Sequence, residues 1–99
     1  MEGNTEHEFD FVIDDDHPGL DGHFPGHPVV PAVVLLDQLL MEIEKTWNLQ
    51  PRRLGQVKFL SPLYPEQRAS VRLIRESARV RFSGRSEERL LFSGDFLLS

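Results

Sequence analysis

His23-Phe24-Pro25-Gly26-His27-Pro28-Val29-Val30-Pro31-Ala32-Val33-Val34-Leu35-Leu36-Asp37 is a tight Gly/Pro loop that runs straight into an apolar helical pattern. Pro31 suits the start of a helix, where its missing N–H is not needed, and the pattern runs on to Trp47 before Asn48 and Pro51 end it. At 1.5 Å per residue that makes roughly 24 Å of helix. The helical neighbours of Asp37 at three and four residues are Val33, Val34, Leu40 and Met41, so the carboxylate is expected on an apolar face. An unpaired acid there is costly, which marks it for a purpose.

Working outward, Glu8 to Ile13 alternates Phe9, Phe11 and Ile13 with polar or smaller residues and reads as a strand with one buried face. Asp14-Asp15-Asp16 ends it, and His17 to Gly22 is loop. Beyond the helix, strands are expected over Leu54 to Leu60, Gln67 to Glu76, Ala78 to Gly84 and Arg89 to Leu98. Pro62 and Pro65 bracket a turn around Leu63-Tyr64, and Arg85 to Glu88 is the expected hairpin tip. Val71, Leu73, Val80 and Phe82 alternate with Arg72, Arg79 and Arg81, giving a sheet with one buried and one charged face. Phe9, Phe11, Phe59 and Phe82 are read as core. One strand, one long helix and a run of antiparallel strands make an α+β pattern, one domain over residues 1–99 in which the sheet wraps the helix.

Ninety-nine residues with 39% apolar content allow a core with little to spare, since a chain this short buries only about two-thirds of its unfolded surface. A partner subunit would relieve that shortage. The absence of cysteine excludes disulfides, thiolate metal sites and a cysteine nucleophile. The N-terminus lacks a basic region followed by an apolar run, and no apolar stretch is long enough to span a bilayer, so no membrane association and a cytoplasmic location are expected. The net charge of −5 is uneven: residues 1–50 carry eleven acids against Lys45 alone, residues 51–99 ten bases against five acids. A basic half on an acidic chain is a poor nucleic-acid signature but can dock a small acidic protein.

The central stretch carries the chemistry. Histidine titrates near neutral pH, and a carboxylate held in apolar surroundings is pushed toward its protonated form, so His23 and Asp37 together offer a base and an acid. The helix start near Ala32 adds unpaired backbone N–H groups and a positive dipole end, suited to a carbonyl oxygen that gains negative charge. These elements fit proton removal beside a carbonyl with loss of a hydroxyl. A metal site is the rival for Asp14, Asp15, Asp16, His17, Asp21, His23 and His27. An EF-hand reading fails because its last ligand position falls on Pro25, leaving a looser His/Asp zinc site as the alternative. There is no Gly-rich phosphate loop, no nucleophile elbow and no aromatic/basic single-strand-binding stripe.

The segment His23-Phe24-Pro25-Gly26, then Pro28-Val29-Val30-Pro31 and an acid fourteen residues after the histidine, resembles the active-site segment of the β-hydroxyacyl-acyl-carrier-protein dehydratases with the hotdog fold. Asp at position 37 is similar to the dehydratase/isomerase branch; Val57-Lys58-Phe59, Pro62 and Pro65 are similar to that family's strand after the helix, and Ser93-Gly94-Asp95 to its last strand. The resemblance implies a hotdog fold, an antiparallel sheet wrapped around one long central helix. It implies no cofactor and no metal. It further implies a homodimer, with a heterodimer as the alternative, whose sites lie between His23 of one subunit and Asp37 of the other. His23 would take the α-proton of a (3R)-hydroxyacyl thioester and Asp37 would protonate the leaving hydroxyl, giving a trans-2-enoyl thioester. The N–H groups of Ala32 and Val33 would hold the thioester carbonyl, with Phe24, Gly26 and Pro31 shaping the substrate site and the acyl group in an apolar tunnel beside the helix. The substrate would arrive on the phosphopantetheine arm of an acyl carrier protein, docked at Arg52, Arg53 and Lys58. Position 32 is Ala where the family usually has Gly, and the added Cβ limits how closely a thioester approaches. A thioesterase on the same fold and a non-catalytic acyl-binding or heterodimer subunit are the alternatives.

Overall fold

The computed structural model describes residues 5–20 and 29–99. The elements run β1 (Glu6–Val12), a short 3-10 turn (Pro18–Leu20), α1 (Ala32–Trp47), β2 (Arg53–Phe59), β3 (Arg68–Arg75), β4 (Arg79–Ser86) and β5 (Arg89–Leu97). All pairings are antiparallel, in the order β1-β3-β4-β5-β2, so β1 and β2 are the two edges. The expected pattern of one strand, one helix and four strands is therefore present.

Boundaries differ from the sequence reading where pairing overrides local pattern. β1 starts at Glu6 because Glu6 and His7 find partners in Ile74 and Leu73. β4 runs on through Arg85 and Ser86, which pair with Leu90 and Arg89 after a register shift at Gly84, so the hairpin tip shrinks to Glu87-Glu88 with Glu87 in the left-handed region (φ 56°). Pro31 is the N-cap of α1 rather than its first helical residue, and Asn48 closes the helix in the left-handed conformation with its N–H donating to Glu44 O.

The helix buries Leu35, Leu39 and Ile43, spaced by four, against the inward residues of the sheet, which include Val71, Leu73, Val80, Phe82 and Phe96. Leu39 and Ile43 have no exposed surface. Val34 lies off that stripe and is buried by the Pro18–Leu20 turn. A Cβ at Gly19 would sit 2.6 Å from Val34 Cγ2, so only glycine lets this turn approach so closely. At the other end His7 on β1 bonds Glu42 on α1 through Nε2 at 2.7 Å, with Phe9 and Trp47 around the imidazole. The helix is thereby tied to the sheet at both ends.

The outer face of the sheet carries the expected arginines in exposed ion pairs: Glu6–Arg72, Asp10–Arg68 and a chain Asp95–Arg79–Glu76–Arg81. Hydrogen bonds from Arg79 and Arg81 hold the Glu76 carboxyl below its ordinary value of 4.5.

Leu39→Ala should lower unfolding free energy by about 2–5 kcal/mol, measured by urea denaturation, because it opens a cavity in the only helix–sheet seam of the described residues. Gly84→Ala should also destabilise, since its Cβ would meet the Phe92 ring at 2.3 Å. A depressed carboxylate stabilises the fold above its unfolded value and loses that contribution as pH falls through the folded one. The melting temperature of Glu76→Gln should therefore sit slightly below the parent at pH 7 and converge with it as pH drops below 4.5, more weakly in high salt.

Candidate active site

At the start of α1, Pro31 is extended (φ −65°, ψ 153°) and has no side chain able to cap the helix. Its carbonyl accepts from the N–H groups of Val34 (3.0 Å) and Leu35 (3.2 Å). Among the described residues no backbone carbonyl accepts from Ala32 or Val33. Two adjacent N–H donors at the positive end of a 16-residue helix thus have no acceptor among the described residues. Ala32 and Val33 are exposed there, Val33 to 65%.

Beside these donors runs a groove of about 320 Å³, bounded by Val29 to Ala32 and Leu35 on one side and by Phe59 to Leu63 on the other. The walls are joined by the Val30 N–H, which donates to Leu63 O at 2.8 Å, while the N–H groups of Leu60 and Ser61 share Leu91 O at 2.8 and 3.2 Å. The lining is almost wholly apolar. Phe59, read as core from sequence, lies instead at the end of the edge strand, 46% exposed, and forms part of this wall. Period-two alternation marks which residues share a face and cannot tell that a strand end overhangs the core.

Asp37 is exposed in the single chain, contrary to the burial its neighbours suggested. The physical reason is helix phase. Leu35, Leu39 and Ile43 take the buried stripe, and Asp37 falls on the opposite side between Val33 and Met41, which are themselves 65% and 62% exposed. The carboxylate does lie on an apolar stripe, but one that this chain leaves uncovered.

Of the other predicted site residues, Pro31 borders the groove, whereas His23, Phe24 and Gly26 lie outside the described residues, as does His27. Arg52, Arg53 and Lys58 are all exposed and spread along one edge strand. Arg52 and Arg53 are at the start of β2 and Lys58 is near its end beside Phe59, some ~17 Å along an extended strand. Among the described residues no group of three or more His, Asp or Glu side chains is placed to hold a metal ion. His17 is engaged otherwise, its Nδ1 accepting the Gly19 N–H at 2.9 Å. No helix among the described residues is long and apolar enough to cross a membrane.

Local patterning could not show that the groove would run onto an apolar sheet edge, where Phe59 and Leu60 line it and Leu54 is also exposed.

The model of the ApeI dehydratase family matches residues 1–95. The chain belongs to the ApeI-like dehydratase family. Among solved structures, the dehydratase heterocomplex ApeI:P from Xenorhabdus doucetiae superposes with a TM-score of 0.86 at 18% identity, over 96% of this chain and 88% of that one. An uncharacterised protein from Erwinia carotovora subsp. atroseptica gives 0.85 at 23% identity, over 100% and 88%. The fluoroacetyl-CoA-specific thioesterase FlK, in complex with fluoroacetate and CoA, gives 0.62 at 15% identity, over 97% and 91%. No curated protein matches the chain significantly. The antiparallel five-stranded sheet with one long helix is the hotdog fold, and this ApeI-like chain carries it.

Replacing Ala32 by Pro should remove one of the two open donors without unfolding the helix. The first helical position tolerates proline, and the extended Pro31 is already in the conformation a following proline requires. Circular dichroism should show unchanged helix content and a stability change below about 1 kcal/mol.

Proposed function

We propose that this protein dehydrates (3R)-hydroxyacyl thioesters carried on an acyl carrier protein to trans-2-enoyl thioesters, in fatty acid or related polyene or polyketide synthesis in the cytoplasm. We further propose that residues 1–99 act as one hotdog unit. The observation that carries the reading is the placement of Asp37 on an exposed apolar stripe of α1, the helix whose start at Pro31 and Ala32 lines an apolar groove. That is half of an acid/base site, built at a surface made to be covered.

In the proposed reaction the thioester carbonyl accepts from the Ala32 and Val33 N–H groups, which stabilise negative charge on its oxygen as the adjacent proton leaves. His23 takes that proton from C2. The C–H electrons form the C2–C3 double bond, the C3–O bond breaks, and Asp37 gives its proton to the departing hydroxyl, which leaves as water. Proton transfer from His23 back to Asp37 resets the pair. Phe24, Gly26 and Pro31 shape the mouth, and the acyl chain lies in the groove.

The acid must be uncharged to act, and cover by apolar surface favours that form of a carboxyl group. A partner hotdog chain seated along β2 and the Val33–Met41 stripe supplies such cover and sets His23 of one chain against the partner's Asp37. A second copy is the proposed partner. A different hotdog chain is the alternative, supported by the ApeI:P neighbour being a heterocomplex. With Arg52 and Arg53 remote from the groove, Lys58 is the member of the proposed carrier-docking set that lies beside it.

The deciding assay incubates the purified protein with a (3R)-hydroxyacyl carrier thioester and follows water loss and thioester hydrolysis. Dehydration is expected, with His23→Ala and Asp37→Asn each slower by about 10²–10⁴-fold at unchanged fold, and Ala32→Pro slower by about 10²-fold or more. Hydrolysis would identify a thioesterase, and binding without turnover a non-catalytic subunit. The solution mass should be that of a dimer or larger, and Met41→Asp or Phe59→Asp should shift it toward the monomer.

A further inference from the structure

The groove beside the helix start contains a chemical exception. Among the described residues that line it, all are Val, Pro, Ala, Leu or Phe save Ser61, the one with a polar side chain. Ser61 is held in place on three counts. Its own N–H and that of Leu60 bond Leu91 O on β5, Pro62 restricts it to extended backbone, and the Val30–Leu63 hydrogen bond fixes the opposite wall with the helix start. It is half-buried, and among the described residues no side chain engages its hydroxyl. A polar group kept rigid in an apolar groove that also reaches the helix start at Ala32 is how a site demands one oxygen at one place along an otherwise hydrocarbon ligand.

We propose that Ser61 is a specificity-determining and positioning residue that hydrogen-bonds the hydroxyl at C3 of the acyl group. The inference rests on the dehydratase reading above. With the thioester carbonyl at Ala32 and Val33, the chain runs on against Phe59 to Leu63, and its single polar atom beyond the carbonyl is that oxygen. Ser61 Oγ accepts the hydroxyl's hydrogen, which orients the oxygen and leaves its lone pairs to the acid that protonates it. A saturated acyl group of the same length offers nothing to this serine and leaves it less well satisfied than water does.

The test uses the full chain in its assembled state with two pantetheine thioesters, (3R)-3-hydroxyhexanoyl as substrate and hexanoyl as competitive inhibitor. Ser61→Ala should lower kcat/KM about three- to tenfold while leaving inhibition by the hexanoyl thioester unchanged. Ser61→Thr, which keeps the hydroxyl, should recover the preference. If the parent dehydrates and Ser61→Ala matches it, or weakens both thioesters equally, the serine has no such role while the dehydratase reading stands. A parent that binds both thioesters and dehydrates neither removes the dehydratase reading, and the role of Ser61 with it.

Discussion

The rotational setting of one helix governs this structure. Leu35, Leu39 and Ile43 lock α1 into the inward face of the sheet, and a helix advances about 100° per residue, so burying that stripe forces Val33, Asp37 and Met41 outward. With a single long helix and five strands among the described residues, only one face of that helix meets the sheet. Burying the aliphatic stripe is worth several side chains of hydrophobic free energy, each about 1.5–3 kcal/mol, which no surface interaction in the chain could oppose. Asp37 therefore stands on an apolar surface that stays exposed, and the packing of the core is the cause.

The two sheet edges are unlike in a way that fits this. β1 presents Glu6, Glu8 and Asp10 as exposed residues, and a row of like charges on an edge strand opposes pairing with a second sheet. β2 presents Leu54 and Phe59, with Leu60 just beyond, beside exposed Arg53, Gln56 and Lys58, and carries no acid. An open edge with exposed apolar side chains is a liability unless a partner takes it. At its far end this edge meets the helix start, since Phe59 and Leu60 line the same groove as Pro31 and Ala32.

How much of this the sequence showed depended on whether the signal was local. The helix limits followed from Pro31 and Asn48, and the strands from Arg/aliphatic alternation, because caps and period-two patterns are written in adjacent residues. The position of β2 beside β5, and of β1 beside β3, depends on partners from 33 to 68 residues away and leaves no local trace. The same holds for the His7–Glu42 bond across 35 residues. Asp37 shows the limit most clearly. Its apolar neighbours were read correctly, but periodicity gives the spacing of a face and not which of two apolar faces the sheet selects.

Ala32 can be weighed on the same physical terms. Among the described residues the non-glycine positions with positive φ are Asn48, Glu66 and Glu87, so position 32 does not need the backbone freedom that glycine would supply. An alanine also favours the first helical turn over glycine by up to about 1 kcal/mol, which holds the two open donors more rigidly. What remains against it is one methyl group at the rim of a groove of about 320 Å³, an order of magnitude larger than the group itself. The alanine therefore narrows the approach to the donors and does not remove them, so in the proposed reaction its effect falls on which acyl groups enter and not on whether a carbonyl is held.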